Sequence, residues 1–245
     1  MRLERGAAGH TAGMRAAGST RAGRAIDDDF VSIASHELRT PISVVHGIAA
    51  TLDARVDELR NEQVHALLGQ LVVQTERLRD LADQLLDLSR IESGAAAGQR
   101  ERFDPRGSLE ELVPRIAGDR AADVRLQVEP GHTLVTDRIA FERVAANLIL
   151  NALHYGAPPV EVEVEDDPCR LVVEDNGPGV APEFVPRLFE RFSRSDESRR
   201  SGETGSGLGL AIASAYAHAL GGELAYEPAE PRGARFTLSL PAARS

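Results

Sequence analysis

The chain has 245 residues, 42% of them hydrophobic, and a formal net charge of -10. That length and apolar content can build one large or two modest domains, which excludes a globally disordered chain, and the acidic balance argues against nucleic acid as a partner. Every basic residue is arginine, the lone Cys169 rules out an internal disulfide framework, and no apolar run is long enough for a membrane span.

The N-terminus lacks the apolar segment of a secretory signal, so the sequence predicts a cytoplasmic protein. Residues 1–26 combine Arg, Gly and Ala with little periodicity and read as a basic, disordered tail, as a contact for a membrane surface or a partner, or as an over-extended start with Met14 as a second initiator.

A helical pattern opens at Asp27–Asp29, whose carboxylates suit the positive end of a helix dipole. Phe30, Ala34, Leu38, Pro41, Val45, Ile48 and Leu52 recur at spacings of three and four. After a polar break at Asp53–Arg60, Val64, Leu67, Leu71, Gln74, Leu78, Leu81, Leu85 and Leu88 repeat the spacing as a coiled-coil or bundle seam. Leu68, Val72, Val73 and Leu86 widen this stripe beyond what one partner helix covers. The expectation is a hairpin over 27–93 that pairs with a second copy as a dimeric four-helix bundle.

The stretch Ser93–Pro105 reads as a linker, with the connection proper at 94–102 and a second domain over 103–243. Helices are predicted at 107–118, 138–155 and 207–220. Strands are predicted near 124–129, 133–136, 160–166, 169–175, 223–227 and 234–240. Interleaving without regular βαβ spacing implies a mixed sheet with helices on one face. The fold class is therefore α plus α+β: a helical hairpin followed by an α/β sandwich.

Four stretches carry chemistry. In Ser32–Val44, His36 and Thr40 lie on the face opposite the apolar stripe, because Ala34 and Leu38 are each two residues, about 200°, away. Pro41 has no N–H for the carbonyl of Glu37, so the helix should bend one turn beyond His36. In Asn147–Tyr155, Asn147, Asn151 and Tyr155 share one helix face, either an ordinary polar surface or a site whose amide carbonyl completes a Mg²⁺ shell. In "LVVEDNGPG", Asp175 ends a strand and Gly177 and Gly179 follow, the pattern of a tight turn or of a close approach to a flat ligand. Gly205, Gly207 and Gly209 then lead into a helix whose free N–H groups can cradle an anion. Their G-x-G-x-G spacing matches neither a Walker loop nor the dinucleotide fingerprint.

Taken in order, these stretches resemble a sensor histidine kinase of a two-component system. "FVSIASHELRTP" is similar to the H box, "NLILNALHY" to the N box, "DNGPG" to the first glycine box, "FERF" to the F box and "GSGLGLAI" to the second glycine box. The resemblance spans Asp27 to about Leu240 and implies a dimerisation and phosphotransfer hairpin followed by a GHKL-type ATP-binding domain.

It also implies roles. His36 would be the phosphoacceptor, Glu37 the base that orients its ring, and Thr40 the residue assisting dephosphorylation of the partner. Asn151 would be the Mg²⁺ ligand, Asp175 the acceptor for the adenine amino group, and Tyr155 a wall of the adenine pocket. Gly177 and Gly179 would border the nucleotide, while Gly205, Gly207, Leu208 and Gly209 would hold its phosphates. Ser193–Thr204 would form a lid anchored by Phe189 and Phe192. Asn147 stands where related ATPases carry the glutamate that activates water, so ATP should await His36 rather than be hydrolysed. Cofactors would be ATP and Mg²⁺. Partners would be a second copy, the receiver domain of a response regulator and an upstream sensor.

Two positions depart from the family pattern. His154 stands where lysine is common, and Ser214 where a basic residue is frequent, so weaker ATP binding is expected, with Arg191, Arg194 or Arg199 available to compensate. A regulator governed mainly by phosphatase activity, and a nucleotide-gated dimeric scaffold, are the alternatives this leaves.

Overall fold

The structure, a computed structural model, describes residues 12–94, 98–166, 169–195 and 205–241, with side chains from residue 32 onward. It divides into two compact units, Met1–Leu81 and Ala82–Ser245, so the last turns of the second long helix group with the C-terminal unit.

The N-terminal unit holds α1 (Ala12–Arg55) and most of α2 (Asn61–Glu92). Helix α1 begins at Ala12 rather than Asp27, so of the expected disordered tail residues 12–26 are helical and residues 1–11 lie outside the description. The sequence reason is its alanine and arginine content, both strong helix formers, which offsets the scattered glycines. Pro41 sits inside α1 without ending it. The hydroxyl of Thr40 donates to the carbonyl of His36 at 3.3 Å, and that of Ser43 to the carbonyl of Arg39 at 2.9 Å, on either side of the missing proline N–H.

The apolar seam is where the spacing puts it. Ala34, Pro41, Ile48 and Leu81 are buried, while Val64, Leu67, Leu71, Gln74 and Leu78 are half-buried. The flank that widens the stripe is uncovered: Leu68, Val72, Val73 and Leu86 are each 44–57% exposed. Among the described residues no helix is long and apolar enough to cross a membrane.

The C-terminal unit is a five-stranded mixed sheet packed on three helices. Its elements are β1 (Glu101–Phe103), α3 (Pro105–Ala117), β2 (Val124–Gln127), β3 (Leu134–Thr136), α4 (Arg138–Tyr155), β4 (Val160–Asp166), β5 (Cys169–Glu174), α5 (Gly209–Ala219), β6 (Glu223–Pro228) and β7 (Ala234–Ser239). The sheet order is β2-β4-β5-β7-β6, with β2 and β4 parallel and the other neighbours antiparallel. Alternation along β4 buries Val160, Val162 and Val164, and the same pattern along β7 buries Phe236 and Leu238. They face Leu109 of α3, Phe141, Leu148 and Ile149 of α4 and Ile212 of α5, all fully buried. Burial of such apolar surface stabilises the layer by about 25 cal/mol per Å².

Asp104 caps α3 by accepting from the N–H of Arg106 at 2.9 Å, and Asp137 caps α4 by accepting from the N–H of Ala140 at 3.1 Å. Residues 101 and 102, expected within the linker, form β1, which pairs antiparallel with β3. A three-residue strand carries too little periodicity to be read from sequence.

Candidate active site

Two sets of side chains matter, one in each unit. On α1 the His36 side chain is 75% exposed, which places it on the outward face that the spacing predicts. Its Nδ1 lies 4.0 Å from Oε1 of Glu37, and Oε2 of Glu37 lies 3.9 Å from Arg77 on α2. Nδ1 is thus the ring nitrogen of His36 nearer the Glu37 carboxylate, at a separation longer than a hydrogen bond. Thr40 stands one turn further along, also exposed.

The second site is walled by α4, the loop after β5 and the glycine loop before α5. Asp175 is 3% exposed, with its Oδ1 accepting from the N–H of Gly177 at 2.7 Å. Burial pushes its carboxyl up from the ordinary value, and the charge of Glu174 pushes the same way against the backbone N–H groups of Gly177 and Ala234. Two glycines that sequence reasoning missed make room for it. A Cβ on Gly156 would meet the Asp175 side chain, and one on Gly233 would strike its carbonyl oxygen. In the sequence both read only as stops, one after a helix and one in a hairpin turn.

Helix α4 presents its polar face to the glycine loop. Asn147 Nδ2 donates to the carbonyl of Arg143 at 2.8 Å, which leaves Oδ1 directed at Gly209, where a Cβ would approach to 3.2 Å. Tyr155 brings its hydroxyl against Gly205, so closely that any side chain there would collide with it. Asn151, half-buried on the same face, has no hydrogen-bond partner among the described residues.

Beneath the loop, Gly207 has φ +70° and its missing Cβ would lie 2.7 Å from the carbonyl of Ser193. Phe192 is left-handed too, with φ 58°, the one described non-glycine residue in that region. Such a conformation costs an aromatic residue roughly 1–2 kcal/mol, and it lets the chain pass under Gly207 at the start of the predicted lid. Phe189 is half-buried beside buried Leu188. Residues 196–204 of that lid, Arg199 among them, lie outside the described residues.

The structure therefore brings together Asn147, Tyr155, Gly205, Gly207 and Gly209, and separately Asp175 with Gly177. Gly179 follows with φ +74°, against the carbonyl of Gly233. A buried carboxylate beside backbone N–H groups, a loop of glycines opening a helix and an unpartnered amide on the facing helix fit a nucleotide with its divalent cation. Among the described residues no group of three or more His, Cys, Asp or Glu could hold a metal ion. The exposed His154, edge-on to Tyr155 at 6.4 Å between ring centres, stands beside this site.

The geometry defines a class: a helical hairpin with an outward histidine, followed by an α/β sandwich that carries a glycine-lined polar site. Residues 27–94 match the family described as the His Kinase A (phospho-acceptor) domain, and residues 136–244 match the histidine kinase-, DNA gyrase B- and HSP90-like ATPase family. The chain is 34% identical over 223 residues to the signal transduction histidine-protein kinase AfsQ2 of Streptomyces coelicolor, covering 86% of this chain and 41% of that protein. To the sensor-like histidine kinase SenX3 of Mycobacterium tuberculosis it is 32% identical over 221 residues, with coverages of 87% and 53%. It superposes on the solved Acinetobacter baumannii histidine kinase AdeS with a TM-score of 0.67 and 28% identity, covering 85% of this chain and 98% of that one. The chain belongs to the sensor histidine kinase family. It spans about half the length of the curated relatives it matches.

Proposed function

We propose that this protein is an ATP-dependent protein-histidine kinase that phosphorylates His36 and passes the phosphoryl group to an aspartate on the receiver domain of a response regulator. The observation that carries this reading is the arrangement at His36. The ring is exposed, Glu37 faces Nδ1, and Nε2 is left as the nucleophile.

In that reaction the Nε2 lone pair attacks the γ-phosphorus of ATP, the bond to the β-bridging oxygen breaks, and ADP leaves. Glu37 takes the Nδ1 proton as positive charge develops on the ring. Asp175 accepts from the adenine amino group, Tyr155 lines the base, and the N–H groups from Gly205 to Gly209 hold the phosphates. Mg²⁺, when bound, screens the phosphate charge, and Asn151 is the residue that would contribute a carbonyl to its shell. Asn147 offers no basic carboxylate, and its amide is tied to its own helix, which supports a kinase over an ATPase.

The uncovered flank of Leu68, Val72 and Val73 supports a homodimer that closes the bundle through α2. The lone Cys169 fits the reducing, ATP-containing cytoplasm. An upstream sensor partner would supply the stimulus. The test is incubation with γ-labelled ATP and Mg²⁺. Acid-labile, alkali-stable label should appear in the wild type and vanish in His36→Gln. Label that persists in the variant rejects the assignment.

A further inference from the structure

The exit turns of α2, residues Gln84 to Glu92, belong to the C-terminal unit, and three of their polar side chains contact residues that border the nucleotide site. Gln84 Oε1 accepts from the hydroxyl of Ser206 at 2.6 Å. Asp87, only 5% exposed, accepts from the hydroxyl of Tyr216 at 3.1 Å and faces Arg143 at 3.3 Å. Glu92 pairs with Arg191 at 2.6 Å, within the segment that leads to the lid. Leu88, 1% exposed, packs on the same side of the helix.

The contact at Gln84 has the most direct chemical consequence. Ser206 is the middle residue of Gly205-Ser206-Gly207, and its Oγ also accepts from the N–H of Leu208 at 3.1 Å. That N–H is among the donors at the start of α5 on which the phosphate cradle depends. Here it is occupied by a side chain of its own loop, and the proton of that side chain is in turn committed to α2. Asp87 holds this part of α2 in place through a bond made in a desolvated setting. Burial first, and the neighbouring carboxylate second, push the Tyr216 phenol up to about 12, so it stays a donor at any physiological pH.

We propose that Gln84 is a positioning residue that restrains the phosphate cradle: a triphosphate must displace the Ser206 hydroxyl from the Leu208 N–H, and the bond to Gln84 opposes that displacement. The exit turn of α2 and the nucleotide therefore compete for one loop. This rests on the reading of the site as ATP-binding and adds a control point to it.

The experiment is a titration of the full chain with the non-hydrolysable imido analogue of ATP in the presence of Mg²⁺. It is run on wild type, Gln84→Ala, Ser206→Ala and the double variant, with thermal unfolding to confirm that each is folded. Removing the hydrogen bond to Gln84 should tighten binding by about two- to tenfold, the range for one such bond. In the Ser206→Ala background Gln84→Ala should change nothing, because the hydroxyl through which it acts is gone. A residue that merely supported the fold would act equally in both backgrounds and would shift unfolding instead. Unchanged or weaker binding in Gln84→Ala, or an equal change in both backgrounds, overturns the restraint and leaves the ATP-binding reading intact. Failure of the wild type to bind at all overturns both.

Discussion

Replacing Asp175 with asparagine separates stability from nucleotide recognition. The wild-type carboxylate is almost fully buried, gives one oxygen to the N–H of Gly177 and has acceptor capacity left for an adenine amino group. Asparagine keeps the shape but exchanges one acceptor oxygen for an NH₂. With its oxygen kept on Gly177, the amide sets a donor against the adenine donor; flipped, it sets a donor against the Gly177 N–H. A hydrogen bond to a charged group contributes about 1.5–3 kcal/mol, so ATP affinity should fall roughly ten- to hundredfold. Stability should move the other way. The folded-state pKa of Asp175 is raised, so the folded protein holds the proton to higher pH than the unfolded chain. Wild-type stability is thereby lost as pH rises through that window, whereas the amide does not titrate. At neutral pH Asp175→Asn should melt at the wild-type temperature or above, with the gap narrowing in acid. Parallel thermal unfolding and ATP titration decide the matter. A variant that melts lower yet binds ATP normally would refute the reasoning.

The remaining expectations concern the loop and the hairpin. Gly207→Ala places a methyl 2.7 Å from the Ser193 carbonyl at φ +70°, a strain of about 1–2 kcal/mol, and should weaken ATP binding by about tenfold in the same titration. Val72→Asp with Val73→Asp puts two charges on the uncovered flank of α2 and should convert a dimer into a monomer by sedimentation; a wild type that is monomeric at tens of micromolar would defeat that expectation. Pro41→Ala restores the hydrogen bond to the carbonyl of Glu37 and stiffens α1 beside His36, so the ratio of kinase to regulator-phosphatase activity should change.

Much of the second domain was legible because its elements carry strong local signals. The edges of α4 and of β4 to β7 fall within a residue or two of their predicted bounds, where Asp137 and Gly156 punctuate the helix and Val160, Val162 and Val164 alternate. The exposure of His36 followed from spacing alone, since residues two apart on a helix lie on opposite faces. Other features were not legible. Strand β1 is too short to show a period, and residues 12–26 owe their helicity to propensity without an amphipathic pattern. Gly156 and Gly233 matter only because the fold brings Asp175 between them. Asp87 looks like one more polar residue flanking the seam, and only the tertiary fold sets it against Tyr216 and Arg143.

The central claim is that one ring nitrogen of His36 receives the γ-phosphoryl group. Its most direct test is to phosphorylate the full chain with ATP and Mg²⁺, then assign the modified residue by alkaline peptide mapping and the modified nitrogen by phosphorus–nitrogen coupling in NMR. Because Glu37 faces Nδ1, the account predicts phosphate on Nε2 of His36. Phosphate on Nδ1, on another residue, or an unmodified His36 after prolonged incubation would contradict it.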